Sequence, residues 1–194
     1  GKKPVFEITT HLGKKIKSSE THRFLTVNGW KQLGELKIKD RIAVPRTLPI
    51  NSSNDIEDYK LTVLGYALSE GNMCHPHGFY VFSSDPKQIE EYCQSLENFK
   101  NTKATVSDKS RHLCPSVYSG RINLKEPSEA VEWMRSIGMY GKKATEKIFP
   151  SFVFNLNPQK IAFLIAKMWE GDGCINIGKN GYVNTYYATS SRKM

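Results

Sequence analysis

The chain has no cysteine pair at metal or redox spacing, no long apolar run and no secretory leader pattern. Its 194 residues hold 4 cysteines, Cys74, Cys93, Cys114 and Cys174, all far apart. That spacing excludes a zinc ribbon or a C-x-x-C redox site and reads as free thiols in a reducing compartment. No segment approaches the ~20 apolar residues of a membrane helix, and no charged, apolar and small-residue signal opens the chain. The expectation is a cytoplasmic protein without a membrane partner. "CHPH" at 74–77 places two histidines around a proline beside a glycine, the pattern of a solvated turn rather than a metal site. Acidic residues are scarce as well: 19 Asp and Glu stand against 28 Lys and Arg, for a net charge of +9. The deficit is uneven, with 11 basic against 4 acidic residues in 1–50 and 3 against 8 in 51–100. The overall balance fits a polyanionic partner, and an acidic stretch between basic ones suggests two modules. At 39% hydrophobic and 11% aromatic residues, the chain can bury a core, which excludes global disorder.

The first 46 residues read as short β segments. "PVFEITT" and "KKIKSS" flank the turn "HLGKK", and "HRFLTV" closes on Asn28-Gly29, the dipeptide suited to a type I′ turn. "RIAVP" is a further strand, and "RTLPINSSNDIEDY" (46–59) has linker composition. Beyond it, "DYKLTVLGYALSEG" predicts a helix ending at Gly71 and "GFYVFSSD" a strand. Asp85-Pro86 caps a helix over "PKQIEEYCQSLENF". "ATVS" and "RINL" are strand-like, and "PSEAVEWMRSIG" is an amphipathic helix with Ser128 or Glu126 near its start. The longest helix, "NPQKIAFLIAKMWEG", takes Asn157 as its cap and leads into strands "CINI" and "YVNTYYATSS". The fold class is α+β.

The end of that longest helix is chemically odd. Glu170 and Asp172 sit where the helix stops, although acids oppose the dipole at a C-terminus. "LGYALSEG" repeats the arrangement, with a helix ending in a carboxylate and glycine, then a strand closing on Ser-Ser. Small residues (Gly65 and Ala67 in one helix, Ala162 and Ala166 in the other) would let the pair pack closely. Glu70 and Asp172 would then face each other, and a divalent cation, Mg²⁺ or Ca²⁺ by their taste for hard oxygen ligands, would remove their repulsion. Paired acids with a metal suit phosphodiester chemistry; the alternative is a pair of plain helix-terminal polar residues.

"LGYALSEG" and "IAKMWEGDG" resemble the two motifs of LAGLIDADG homing endonucleases. The resemblance implies a domain of αββαββα halves over residues 60–194, the second half truncated, with Glu70 and Asp172 as catalytic metal ligands. Glu stands at 70 where Asp is common, and Glu170 falls at an earlier acidic position that serves structure. "EKIFP" resembles the lysine block of intein-borne members, which makes Lys147 a catalytic candidate. "SSETHRFLTVNGWKQLGELKIKDRIAVPR" resembles block B of an intein's Hint domain over residues 1–46, joined by a linker at 47–59. There His22, and Ser19 where Thr is usual, would assist the first acyl shift.

The resemblance implies an intein fragment: protein splicing and metal-dependent cleavage of double-stranded DNA in the complete protein. The chain begins Gly-Lys-Lys-Pro and ends Arg-Lys-Met, without the junction residues of splicing, so the fragment alone is expected to be impaired. Arg111, Arg121, Asn184, Tyr186 and Tyr187 are the DNA-contact candidates. The partners implied are DNA and a host extein protein, a replicative helicase or another replication enzyme. A homodimer or a partner fragment would cover apolar surface left by truncation. The rival readings are an inactive DNA-binding remnant and an RNA-splicing maturase-like binder.

Overall fold

The computed structural model describes residues 2–45, 55–108 and 114–194. The chain falls into two compact units, Gly1–Pro49 and Ile50–Met194. In the smaller, β1 (Val5–Thr9) and β2 (Lys15–Ser19) form an antiparallel hairpin that pairs Val5 with Ser19 and Thr9 with Lys15. Its turn places Gly13 at φ 80°, a left-handed conformation that glycine adopts without a Cβ penalty.

β3 (Arg23–Thr26) and β4 (Gly29–Gln32) make a second hairpin. Its turn differs from the type I′ expectation. Thr26 pairs with Gly29, so Val27 and Asn28 form the bend, and of these residues Gly29 alone has a positive φ, at 94°. A type I′ turn needs two such residues. Here the Thr26 hydroxyl stabilises the bend instead: it accepts from the Asn28 N–H at 3.2 Å and donates to the Gly29 carbonyl at 2.8 Å. "RIAVP" yields one bridge, Ile42 to Thr26, rather than a strand. Phe24 is the buried apolar side chain of this unit among the described residues.

The larger unit is built around α1 (Asp58–Glu70), whose residues Leu61 to Leu68 are all buried. A helix apolar on every side belongs at a centre, not on a surface. After α1 come β5 (Gly71–Asn72), β6 (Phe79–Phe82), α2 (Pro86–Leu96), β7 (Thr102–Ser107), β8 (Ser116–Arg121) and α3 (Glu129–Ser136). The order from α1 to α3 is thus helix, two strands, helix, two strands, helix. The four strands form one antiparallel sheet in the order β5-β6-β8-β7. The fourth strand is "SVYSGR"; the expected "RINL" contributes only Arg121, and Ile122 and Leu124 are exposed.

Capping follows the sequence signals. The Asp85 carboxylate accepts from the Lys87 N–H, Ser128 Oγ from Val131 N–H and Asn157 from Lys160 N–H, each meeting a donor that the helix leaves unpaired. α4 (Pro158–Asp172) runs through the first glycine of Gly-Asp-Gly and ends at Gly173. β9 (Gly173–Ile177) and β10 (Val183–Tyr187) then form a separate two-stranded sheet. These elements confirm a mixed α+β fold.

α4 packs against α1, but not through the residues that the sequence suggested. Leu164, Lys167 and Met168 are its buried positions, whereas Ala162 and Ala166 are exposed. Steps of three and four residues put Leu164, Lys167, Met168 and Gly171 on one face, and the two alanines lie off it. On α1, Gly65 does lie at the crossing: a Cβ built there would sit 2.5 Å from the Lys167 Cβ.

Candidate functional site

Three of the charged residues singled out by sequence come together where α1 and α4 end. Glu70 is the last residue of α1 and Asp172 the last of α4. A Cβ at Gly171 would lie 2.5 Å from Ser69 Oγ and 3.1 Å from Glu70 Cγ, a measure of how closely the two ends meet. Lys147, carried by the loop after a short 3₁₀ turn (Ala144–Glu146), is buried at 4% exposure. Its ammonium donates to the Leu68 carbonyl at 3.0 Å and the Ser69 carbonyl at 3.1 Å, the open carbonyls of the last turn of α1. A cation at a helix C-terminus is favoured by the dipole. Ser191, also buried, donates to the Lys147 carbonyl at 2.6 Å and fixes the loop from the other side.

The electrostatics are those of a crowded site. Burial pushes the Glu70 carboxyl above its ordinary pKa, and the neighbouring Asp172 charge pushes it further. Asp172 is raised by burial, against the opposing pull of Lys147. Lys147 is lowered by burial and partly restored by Asp172 and Glu70. Tyr187 lies beside them: burial and then the Asp172 charge raise its pKa. Its hydroxyl faces the Asp172 carboxylate, an interaction that further raises the tyrosine and partly holds the acid down. A cavity of about 420 Å³ opens here, with Lys147 and Asp172 in its walls and the Ser69, Thr189 and Ser190 side chains around them.

The two raised carboxyl groups fix the sign of a pH effect. Each favours folding below its unfolded pKa of about 4 and loses that contribution as pH rises through the higher folded value. The contribution of these two groups to the larger unit's stability should therefore fall between acid and neutral pH when no divalent cation is present, against the opposite trend of Glu57, whose carboxyl is lowered by a backbone hydrogen bond and Lys60. Glu70→Gln should remove part of this loss, so that the variant exceeds the parent at neutral pH. Urea midpoints measured across the range check it, and a variant weaker than the parent at neutral pH contradicts it.

The remaining sequence candidates are scattered. His22 and Ser19 lie in the smaller unit, where the His22 N–H donates to the Ser19 carbonyl at 3.0 Å and its ring meets Phe24 edge-on at 5.0 Å. Arg111 lies outside the described residues. Arg121 ends β8 and lines a small cleft with His77, Glu132 and Arg135. Asn184 and Tyr186 share one face of the β9–β10 hairpin, opposite Asn176 and Cys174, while Tyr187 occupies the other face beside Asp172. Sequence reasoning missed the polar network behind the site. There Tyr66, Glu91, Lys167 and Glu170 join three helices. An isolated lysine at an otherwise apolar helix position was the available signal.

Among the described residues, no three His, Cys, Asp or Glu side chains converge as a metal site, and no helix is long and apolar enough to cross a membrane. No known family model matches the chain. It is 31% identical to the replicative DNA helicase DnaB of Rhodothermus marinus over 199 residues, covering all of this chain and 21% of the relative. To DnaB of Synechocystis it is 30% identical, covering all of this chain and 23% of the relative. To the protein RecA of Mycobacterium bovis it is 24% identical, covering all of this chain and 24% of the relative. The chain thus spans less than a quarter of the length of each. These names correct the identification drawn from the motifs. The relatives are named as a replicative helicase and as RecA, none as an intein, a Hint domain or a LAGLIDADG endonuclease. Splicing through His22 and Ser19, DNA cleavage, the host–insert relation and the remnant and maturase-like alternatives are given up with it. What the comparisons add is similarity, over the whole of this chain, to one segment of replication and recombination proteins.

Proposed function

We propose that the chain is a DNA-associated segment of a cytoplasmic replication protein similar to DnaB, and that its working site is a divalent-cation site at the α1–α4 ends. The observation that carries the reading is the meeting of Glu70 and Asp172, both with raised pKa, beside a buried lysine. Nothing in helix stability calls for two acids at helix C-termini; a cation between them turns the repulsion into attraction. Mg²⁺ fits the donor set, because it binds through one or two carboxylates and completes its shell with waters and phosphate oxygens. The Tyr187 hydroxyl interacts with the Asp172 carboxylate and would orient it toward the cation.

The phosphate would come from DNA, in keeping with the +9 net charge and with relatives named as DNA helicases. Lys147, Thr189 and Ser190 in the cavity walls supply the donors that would hold it. Asn184, Tyr186 and Arg121, with Arg111, are the proposed further DNA contacts. A nucleotide-cradling loop is not part of this reading. Each Gly-Lys pair in the sequence is followed by Lys or Asn, not by the Ser or Thr of a P-loop, and the four-stranded sheet is antiparallel throughout.

Calorimetry with Mn²⁺ and Mg²⁺ tests the site. Glu70→Gln and Asp172→Asn should each weaken binding by roughly tenfold or more, because even a residue that only supports a ligand is worth about that much. Binding to a duplex probe should weaken steeply with added salt. Cation affinity that is equal in both variants and the parent sinks the proposal.

A further inference from the structure

A second cluster of charge lies just behind the cation site, and nothing in the reading above uses it. Tyr66 on α1 is 1% exposed; its hydroxyl lies 2.7 Å from a Glu91 carboxylate oxygen on α2 and 2.5 Å from a Glu170 oxygen on α4. The Lys167 ammonium on α4 lies 2.8 Å from Glu91 and 3.0 Å from Glu170. Gln88, one turn before Glu91 on α2, donates to the Glu170 backbone carbonyl at 2.9 Å. Every member therefore ties α4 to a different helix, and the ties converge two residues before Asp172.

Stability alone does not account for this cluster. The Lys167 ammonium is buried, whereas the Glu91 and Glu170 carboxylates are each 38% exposed, so solvent weakens the attraction that offsets the lysine's desolvation. What a hydrogen-bonded ionic cluster adds is register, since it is satisfied in only one arrangement of its helices. The last turn of α4 is also held by the close approach of Gly171 to Ser69 and by the Trp169 ring against Tyr187 at 5.7 Å, but none of these contacts reaches α2. Glu170 is exposed, and past it the Asp172 carbonyl accepts from the Ala188 N–H at 3.1 Å. The facing turn of α1 is held separately, by Lys147 on its carbonyls.

We propose that Tyr66, Glu91, Lys167 and Glu170 are positioning residues that set the last turn of α4, and with it the Asp172 carboxylate, against Glu70. The inference rests on the cation-site reading, and Asp172→Asn measured alongside keeps the two separable. Tyr66→Phe removes one hydroxyl and keeps the buried ring; Lys167→Met removes the charge and keeps the stem. Each should lower Mn²⁺ affinity by roughly tenfold, as loss of an outer-shell partner does. Each should also speed amide exchange at Gly171, Asp172 and Gly173 more than elsewhere in α4, the mark of local opening. Adding Tyr66→Phe to Asp172→Asn should cost no further affinity, because the network acts through that carboxylate.

A merely structural role predicts a lower Tm with uniform exchange and unchanged affinity, and that result overturns the positioning role. If Asp172→Asn weakens Mn²⁺ binding while Tyr66→Phe does not, the positioning role fails and the cation site stands. If Asp172→Asn itself leaves binding unchanged, both fail. Should Lys167→Met not fold, Tyr66→Phe decides alone.

Discussion

Leu164→Ala is expected to destabilise the larger unit by roughly 2–5 kcal/mol, the range for deleting a buried leucine side chain and leaving a cavity. Leu164 has 0% exposure and stands on the α4 face turned to α1. That face is narrow: Leu164 and Met168 are its buried apolar residues, with Lys167 between them. α1 is gripped from all sides and cannot shift to fill the gap, so little relaxation offsets the loss. A unit of this size loses about 2–4 °C of Tm per kcal/mol, which makes the change easy to read by calorimetry. Ile165→Ala, one residue on and 45% exposed, should cost only about 0.5 kcal/mol. Equal effects at the two positions would contradict the helix-pair geometry.

The second large effect is expected from a methyl group gained. Gly65→Ala places a Cβ 2.5 Å from the Lys167 Cβ, 3.3 Å from its carbonyl carbon and 3.4 Å from the Leu164 carbonyl oxygen. None of these is the free end of a flexible side chain, so the helices must move apart. Overpacking of this kind costs roughly 1–3 kcal/mol. Alanine is the better helix former by about 1 kcal/mol, and that preference acts in the opposite direction. The clash is expected to win, giving net destabilisation in urea titrations. Because the shift falls where Lys167 enters its carboxylate cluster, the variant should also bind Mn²⁺ more weakly than its loss of stability accounts for. A stabilised Gly65→Ala would place the crossing elsewhere.

Local chemistry was legible in the sequence and long-range chemistry was not. Helix starts at Asp85-Pro86, Ser128 and Asn157-Pro158 follow from caps that act within three residues. The end of α1 at Glu70 follows from the glycine after it. The second hairpin turn went astray because Asn28-Gly29 is compatible with more than one bend, and the Thr26 hydroxyl selects another. Ala162 and Ala166 are small but lie on the wrong face, and size alone does not give direction. The meeting of Glu70 with Asp172 was suggested by the repeated pattern, yet the burial of Lys147 and the Tyr66–Glu91–Lys167–Glu170 cluster depend on partners up to 104 positions apart. The identification failed for another reason: short motifs describe a local arrangement, whereas the relatives found over the whole chain are named for replication and recombination.

The wide spacing of the two carboxylates has a kinetic consequence. Glu70 ends α1 and Asp172 ends α4, with the four-stranded sheet and two helices encoded between them. Contacts that close so long a stretch of chain pay their loop entropy before they gain any packing, and such contacts slow the search for the native state. Local hairpins and capped helices will form in the early milliseconds or before, while the carboxylate pair exists only once α4 has docked. In a refolding experiment started by dilution from urea, binding of a luminescent lanthanide at this site should lag behind the recovery of secondary structure. The cation site would then serve as a clock for the last event of folding.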